Sequence, residues 1–350
     1  MKQNILDLTK DQLGSWVEQR GLKLFAAAQL YQWLYAKRAT SFEEMSDIAL
    51  ETRALLAEQF TIGRLEVGGR YHSTADGSTK FLYRLADGNS VESVLMPQRN
   101  RTTLCISSQV GCAMGCTFCR TAEMKLVRNL TQGEILGQIL ETQRPLAPGE
   151  RISNIVMMGM GEPLHNYDAV ISALKIMTDP KGLGLSQRKI TVSTVGLAPE
   201  IERFGREVGV KLALSLNATT EEGRLKLMPV TRKFSLDRVI AACKTYTREN
   251  PNRRVTFEYV MISGINDSLE DAKRLSQIGS HIPNKINLIP YNEYPGSPYR
   301  RPPEPEIRAF FKYLADRHFQ VNIRYSKGLD VMAACGQLCV EPSRSSLTGF

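Results

Sequence analysis

Residues 112–119 read Cys112-Ala113-Met114-Gly115-Cys116-Thr117-Phe118-Cys119, three cysteines at C-x3-C-x2-C spacing. Iron–sulfur clusters are held by cysteine thiolates, normally four for a [4Fe–4S] cluster. Three local thiolates leave one iron with an open position, and an open position on a metal is where a ligand reacts. The competing reading is a zinc site completed by a ligand from elsewhere. Structural zinc sites usually come as two spaced pairs, so the spacing favours the cluster. What the open iron holds has to be read from the rest of the chain.

Around this stretch, from residue 98 to 328, strand-like runs alternate with helical ones. The strands are Thr102 to Ser107, Ile152 to Met158, Lys189 to Val195, Val210 to Leu216, Val255 to Met261 and Lys285 to Pro290. The helical runs are Gln132 to Gln143, Tyr167 to Thr178, Ala198 to Glu207, Leu236 to Arg248 and Leu269 to His281. The strands are short and apolar on both faces, which is the texture of a parallel sheet covered by helices. The fold class is therefore α/β, and six βα units predict a partial (βα)6 barrel rather than a closed eight-stranded one. Right-handed crossovers gather the loops that follow the strands at one end.

That end collects polar groups. The cysteine loop follows the first strand, and Gly159-Met160-Gly161-Glu162-Pro163 follows the second. A glycine-rich turn lets backbone groups meet a ligand closely, and Glu162 adds a carboxylate suited to an ammonium. Ser193-Thr194, Ser215-Leu216-Asn217 and Asn292 end later strands. Each alone reads as an ordinary loop cap; together at one rim they argue for a shared polar ligand.

Residues 1–97 form an accessory region. Leu6 to Arg20, Lys23 to Arg38 and Phe42 to Phe60 show apolar residues at three- and four-residue steps, predicting helices. Phe25, Tyr31, Trp33 and Tyr35 read as core. Arg64 to Ser73, Thr79 to Ala86 and Ser90 to Pro97 predict a small β-meander turned at Asp76-Gly77 and Asp87-Gly88. Such a region can dock RNA or serve as an inert cap. Strand alternation points Glu92 toward solvent; facing a dry site instead, its pKa would rise and it could exchange protons.

Beyond Pro302 to Pro305 come a helix over Glu306 to Arg317, a strand over Phe319 to Tyr325, and a C-terminal extension over 329–350. Cys335, followed by Gly336, reads as an accessible thiol, reactive if its pKa falls, or as a small hydrophobe filling a gap. Cys105 and Cys339 are equally open, whereas Cys243 reads as core.

Composition bounds the rest. Of 350 residues 42% are apolar and 23% charged, so the chain buries a sizeable core. With 45 basic against 36 acidic residues the net charge is +9, which suits a polyanionic partner or a solvated basic face. Seven cysteines make no disulfide framework. No apolar signal region opens the sequence and no apolar run would span a membrane, so a reducing cytoplasm is expected.

The cysteine motif resembles that of the radical S-adenosylmethionine (SAM) superfamily, and Gly159 to Glu162 resembles its SAM-binding turn. Val127-Arg128-Asn129-Leu130-Thr131, Met158 to Leu164, Thr191-Val192-Ser193-Thr194 and Ala333-Ala334-Cys335-Gly336-Gln337-Leu338 narrow the likeness to the RlmN/Cfr family of RNA adenine methyltransferases. The resemblance runs from about residue 5 to 340. It implies a [4Fe–4S] cluster on Cys112, Cys116 and Cys119, with SAM on the open iron. Gly161, Glu162, Ser193, Ser215, Leu216, Asn217 and Asn292 match the family's SAM contacts. The resemblance also implies two SAM molecules for each turnover, with the following roles. One methylates Cys335; the other supplies a radical that takes a hydrogen from that methyl group, whose carbon then adds to carbon 2 of an adenine. Glu92 matches the proton acceptor, and Cys105 the thiol that forms a disulfide with Cys335 and releases the product. The implied substrates are 23S rRNA and, for some members, the tRNA adenine beside the anticodon. Flavodoxin or ferredoxin is the expected electron donor and a monomer the expected state. Two alternatives accompany this: a Cfr-like carbon-8 methyltransferase, and a non-catalytic RNA-binding protein held by a cluster or zinc. The chain departs from the family at Arg120-Thr121-Ala122-Glu123-Met124-Lys125, where glycines are usual at positions 122 and 125.

Overall fold

The computed structural model describes residues 2–340. Two short parallel strands, β1 (Gln3–Asn4) and β2 (Phe60–Thr61), bracket the first helices, α1 (Lys10–Glu18), α2 (Leu24–Tyr35) and α3 (Leu50–Gln59). A capping box starts α1: Thr9 Oγ1 accepts from the Gln12 N–H while the Gln12 side chain accepts from the Thr9 N–H. The helix expected over Phe42 to Phe60 is shorter than its pattern. Phe42, Met45 and Ile48 are buried, but they sit on successive turns closed by Met45 N–H to Phe42 O and Ile48 N–H to Met45 O. Three-residue apolar spacing is common to consecutive turns and to a helix, so periodicity alone does not separate them. Tyr31 and Tyr35 are core as expected, whereas Phe25 is 59% exposed.

The meander is β3 (Glu66–His72), β4 (Thr79–Arg84) and β5 (Ser90–Gln98), and β6 (Arg101–Cys105) continues it antiparallel through Pro97↔Thr102 and Gln98↔Arg101. The division expected at 97/98 thus falls inside a hairpin. After β6 comes a feature the sequence reading omitted. β7 (Gln109–Gly111) and β8 (Leu126–Asn129) form a small antiparallel hairpin that frames the cysteine loop and the one-turn α4 (Arg120–Glu123). Gly111 is required there: at φ +74°, a Cβ would sit 1.7 Å from the Lys125 carbonyl oxygen.

The remaining chain alternates. Its strands are β9 (Asn154–Met157), β10 (Ile190–Thr194), β11 (Lys211–Ser215), β12 (Val255–Met261), β13 (Asn284–Pro290) and β14 (Val321–Ile323). Its helices are α5 (Gln132–Gln143), α6 (Tyr167–Thr178), α7 (Ala198–Glu207), α8 (Glu221–Leu227), α9 (Leu236–Glu249), α10 (Leu269–Gly279) and α11 (Glu304–Ala315). The order β14-β13-β12-β11-β10-β9-β6-β5-β4-β3 makes one ten-stranded sheet, parallel from β6 to β14. The six expected barrel strands are present, and the short β14 extends them.

Pleating sorts the side chains. Leu212 and Leu214, Phe257 and Tyr259, and Ile286 and Leu288 are fully buried, while their alternates line a cavity of about 660 Å³ inside the curved sheet.

Arg128 ties the cysteine hairpin to both neighbours. It meets Glu134 bidentately at 2.8 Å and Asp87 at 2.5 Å. Glu134 is also the capping-box residue of α5, accepting from the Thr131 N–H at 2.9 Å. The Val127-to-Thr131 motif is therefore a joint between meander, hairpin and α5. Residues 341–350 of the expected C-terminal segment lie outside the described residues.

Candidate active site

The three cysteines of the loop sit close enough to feel one another. Burial pushes the Cys112 thiol up to about 12. It raises Cys116 as well, and the neighbouring Cys119 and Cys112 sulfurs raise Cys116 further. Cys119 is raised chiefly by burial. Thiolates crowded in this way call for a compensating cation, which bound iron would provide. The donor set therefore fits a cluster. Among the described residues, no three His, Cys, Asp or Glu side chains converge as ligands of a single metal ion.

The glycine turn is fastened beside this loop. Gly159 N–H donates to Ile106 O, and Ser108 N–H and Gln109 N–H both donate to Met160 O. Met160 N–H donates to Ser107 Oγ at 2.8 Å, and Glu162 N–H to Gln109 Oε1 at 2.8 Å. Gly161 has φ +98°, and a Cβ would lie 2.6 Å from Gln109 Cβ, so only glycine lets the turn close against β7.

Glu162 is buried at the turn's end. One oxygen accepts from the Leu164 N–H at 3.1 Å and the other from the Val195 N–H at 2.9 Å. Burial dominates, pushing its carboxyl up to about 7 against those hydrogen bonds. Its negative charge in turn raises the Cys112 and Cys116 thiols. A buried carboxyl held near neutrality is poised to accept a cation.

The other expected ligand contacts end neighbouring strands. Ser193 Oγ and Ser215 Oγ lie 3.4 Å apart on β10 and β11. Leu216 is fully buried. Asn217 takes φ +56°; its Oδ1 accepts from the Val260 N–H at 2.9 Å, and its carbonyl accepts from Asn266 Nδ2 at 2.7 Å. Its amide thus braces the rim internally. Asn292 Nδ2 donates to Ser326 Oγ at 2.9 Å and to the Cys335 carbonyl at 3.0 Å. It connects the rim to the C-terminal segment.

Cys105 ends β6 and shares the cavity wall with Cys335. Burial pushes Cys105 up to about 12, the Cys335 sulfur adds to this, and Arg324 opposes it. Arg324 sits between the two thiols and Glu258: Cys335, Glu258 and Cys105 all raise its guanidinium. Its contact to Glu258 is 3.5 Å. The segment bearing Cys335 is pinned on three sides, by Arg120 N–H to Gly336 O, by Thr121 Oγ1 to Leu338 O at 2.5 Å, and by Gln337 Nε2 to Glu293 O at 2.8 Å.

Glu92 corrects the sequence reading. It is 4% exposed, because the C-terminal segment covers the face that alternation assigned to solvent. Lys80 Nζ lies 2.9 Å from one oxygen and the Cys339 N–H donates to the other at 3.0 Å. Burial raises its carboxyl, opposed by Lys80.

The sequence reading missed Lys80, Arg324 and Gln138. A signal existed for Lys80: the Asp87-Gly88 turn fixes Leu82 opposite Glu92, which puts Lys80 diagonal to it on the same face. Gln138 joins β5 and the loop after β6 to α5 by accepting from Ser93 Oγ and the Ser107 N–H and donating to Ser107 O. Nothing local marks it.

The departure at residues 120–125 resolves into two cases. Ala122 lies within the α4 turn and needs no glycine. Lys125 takes φ +54°, a left-handed backbone that favours glycine.

Comparison with known proteins agrees with this geometry. The Radical SAM superfamily profile matches residues 106–275, and the profile of the ribosomal RNA large subunit methyltransferase N-terminal domain matches residues 3–62. The dual-specificity RNA methyltransferase RlmN of Pelobacter propionicus is 52% identical over 343 residues, covering 96% of each chain. That of Geobacter sulfurreducens is 50% identical, covering 96% of this chain and 91% of its own. A crystal structure of a radical SAM methyltransferase from Sphaerobacter thermophilus superposes with a TM-score of 0.91 at 40% identity, over 96% of this chain and 99% of that one. On the cysteine loop, the glycine turn, the N-terminal domain and near-full-length relatives, the chain belongs to the RlmN family of RNA methyltransferases within the radical SAM superfamily.

Proposed function

We propose that this chain methylates carbon 2 of an adenine in 23S rRNA, and of the tRNA adenine beside the anticodon, by way of methylated Cys335. The observation that carries the reading is the shared wall: Cys105 and Cys335 face one cavity, and Glu92 binds the segment that bears Cys335. Cys112, Cys116 and Cys119 would hold a [4Fe–4S] cluster, and the rim of Gly161, Glu162, Ser193, Ser215, Leu216, Asn217 and Asn292 would hold SAM. When bound, the cluster and SAM supply one-electron cleavage of SAM to a carbon radical. The protein's own groups do the rest. Glu162 takes the SAM ammonium. Cys335 carries the methyl group. Glu92 takes the proton lost from the ring.

Cys105 then attacks the Cys335 sulfur. An S–S bond forms and the bond from Cys335 to the RNA-borne carbon breaks, its electron pair staying on that carbon, which takes up a proton and becomes the methyl group. This is thiol–disulfide exchange in form, so Cys105 must ionise at that moment. The nearby Arg324 favours its thiolate.

The target base has to leave its stack to reach such a pocket. Residues 1–97 would grip the RNA, 98–328 carry the radical chemistry and 329–350 present the carrier thiol. Electrons from a flavodoxin or ferredoxin, action as a monomer and a cytoplasmic location complete the proposal. Among the described residues no helix is long and apolar enough to cross a membrane.

The deciding experiment is nucleoside mass spectrometry of RNA treated with the cluster-loaded enzyme, SAM and reductant. Product eluting as 2-methyladenosine supports the reading; 8-methyladenosine overturns its regiochemistry.

A further inference from the structure

Lys211 opens β11 and Lys285 sits second on β13, both at inward positions, each followed by a fully buried outward residue, Leu212 and Ile286. Arg101 opens β6, and Arg188 and Lys189 immediately precede β10. All five line the cavity that holds Cys105 and Cys335, but from the opposite end, where the parallel strands begin.

These cations lack counter-charges. Among the described residues, Arg188, Lys189, Lys211 and Lys285 make no side-chain hydrogen bond or ion pair, and Arg101 reaches only Gln98 Oε1 at 2.6 Å. The one carboxylate among the described lining residues is Glu258, already engaged by Asn287 Nδ2 at 2.9 Å. Lys211 feels both its burial and its neighbours. Burial, then Lys285, Lys189 and Arg101, pull its ammonium down from the ordinary lysine range. A merely solvated basic face would point outward; here the pleat aims Lys211 and Lys285 into the cavity.

Reach is adequate for a nucleotide. Cys105, Val156, Thr191 and Lys211 are successive register partners across four strands. Three strand spacings of about 4.8 Å put Lys211 roughly 14 Å along the wall from Cys105. One nucleotide plus an extended lysine side chain spans that distance.

We infer that the N-terminal mouth of the barrel is a phosphate-binding site, and that its ligand is a phosphodiester of the RNA strand whose base is presented to Cys335. The inference rests on the function proposed above for its RNA source, while the phosphate site itself stands on the cavity and its unpaired cations. Free pyrophosphate offers the same chemistry and is the competing source.

The test uses cluster-loaded enzyme and an unmodified 23S rRNA fragment, comparing the wild type with the Lys211→Gln/Lys285→Gln double variant. A Lys244→Gln/Lys273→Gln variant removes equal charge from outer helices. The first variant should make the slope of log Kd against log salt shallower by about 0.7 for each single-strand phosphate that is no longer neutralised. Its KM for RNA should rise about tenfold with a smaller change in kcat. The outer-helix variant should do neither. Equal slopes and KM values in the two variants would overturn the RNA assignment. Calorimetry with pyrophosphate forms the second arm: binding to the wild type and its abolition in the double variant, with RNA binding unaltered, would keep the phosphate site and assign it to free phosphate. Undiminished binding of both probes would overturn the site altogether. A lysine-dependent salt slope without any methyladenosine would instead sink the proposed function and leave the site standing. If the double variant melts early, Lys285→Gln alone takes its place.

Discussion

Lys80 and Glu92 form a nearly dry ion pair, Nζ to Oε1 at 2.9 Å, with side chains only 12% and 5% exposed. Because Glu92 Oε2 also accepts the Cys339 N–H, one carboxylate joins β4, β5 and the C-terminal segment. Burial pushes Glu92 up and Lys80 opposes it. Lys80→Met should therefore raise that carboxyl further and move the acidic limb of the pH–methylation profile to higher pH. The stability sign follows. A carboxyl raised in the folded state contributes stability below its unfolded pKa and loses it as pH rises through the folded value. The variant should lose about 3 kcal/mol relative to wild type at pH 8, the cost of stranding one partner of a buried pair. Thermal melts across pH check this; parallel wild-type and variant curves would refute it.

Glu92→Gln keeps the shape but removes the carboxylate proposed as the base. RNA methylation should fall by about 10²- to 10⁴-fold, the usual span for losing a positioned acid–base group. S-methylation of Cys335, read by peptide mass spectrometry, should persist. Loss of both together would assign Glu92 a purely structural part.

Cys105→Ala should accumulate a covalent RNA–protein adduct, seen as a retarded band on a denaturing gel. Cys335→Ala should give no adduct. Normal turnover by Cys105→Ala would remove the resolving role proposed for that thiol.

Glu162 is held near 7 by burial, so the ammonium contact proposed for it would make SAM binding a proton-linked event. Below pH 7 its carboxyl is largely protonated, and pairing with the SAM ammonium lowers its pKa. Calorimetry at pH 6 in buffers of different ionisation heat should show release of close to one proton per SAM. The release should fade by pH 8.5 and disappear in Glu162→Gln. Proton uptake, or a pH-independent signal, would count against the ammonium contact.

Lys125 holds a left-handed backbone that costs a non-glycine residue about 1 kcal/mol or more. Lys125→Gly should raise the melting temperature or leave it level, because relief of strain offsets the added freedom of the unfolded chain. A fall of several degrees would mean the lysine side chain makes interactions that outweigh its strain.

The barrel was legible because its strands are short runs rich in Ile, Val and Leu that alternate with helical runs; α5 opens on a capping box at Thr131, whereas α6 and α7 start without a side-chain cap and show through their sequence pattern alone. The rim of polar residues was legible as a pattern of strand ends. Glu92 was not, since alternation reports only local exposure, and the cover over β5 arrives 247 residues later in the hydrogen bond from Cys339. The β7–β8 hairpin was too short, at three and four residues, to show a period. Lys211 and Lys285 begin or nearly begin strands, where a charge looks like an ordinary boundary residue. Only the pleat of the folded, curved sheet shows that they face the cavity.

The docking of residues 329–340 sets an order of events during synthesis. Every strand of the sheet and the whole cysteine loop precede this segment, which reaches back to Thr121, Glu92 and, through Gly328 N–H, to Asp76 at 2.7 Å. Chains emerge N-terminus first and fold as they do so. A chain ending before residue 329 would possess the cysteine loop, the glycine turn and the barrel strands, yet lack Cys335 and the cover over Glu92. The segment 329–340 thus brings a thiol and a lid to the cavity in a single docking step, after everything it closes over has been made.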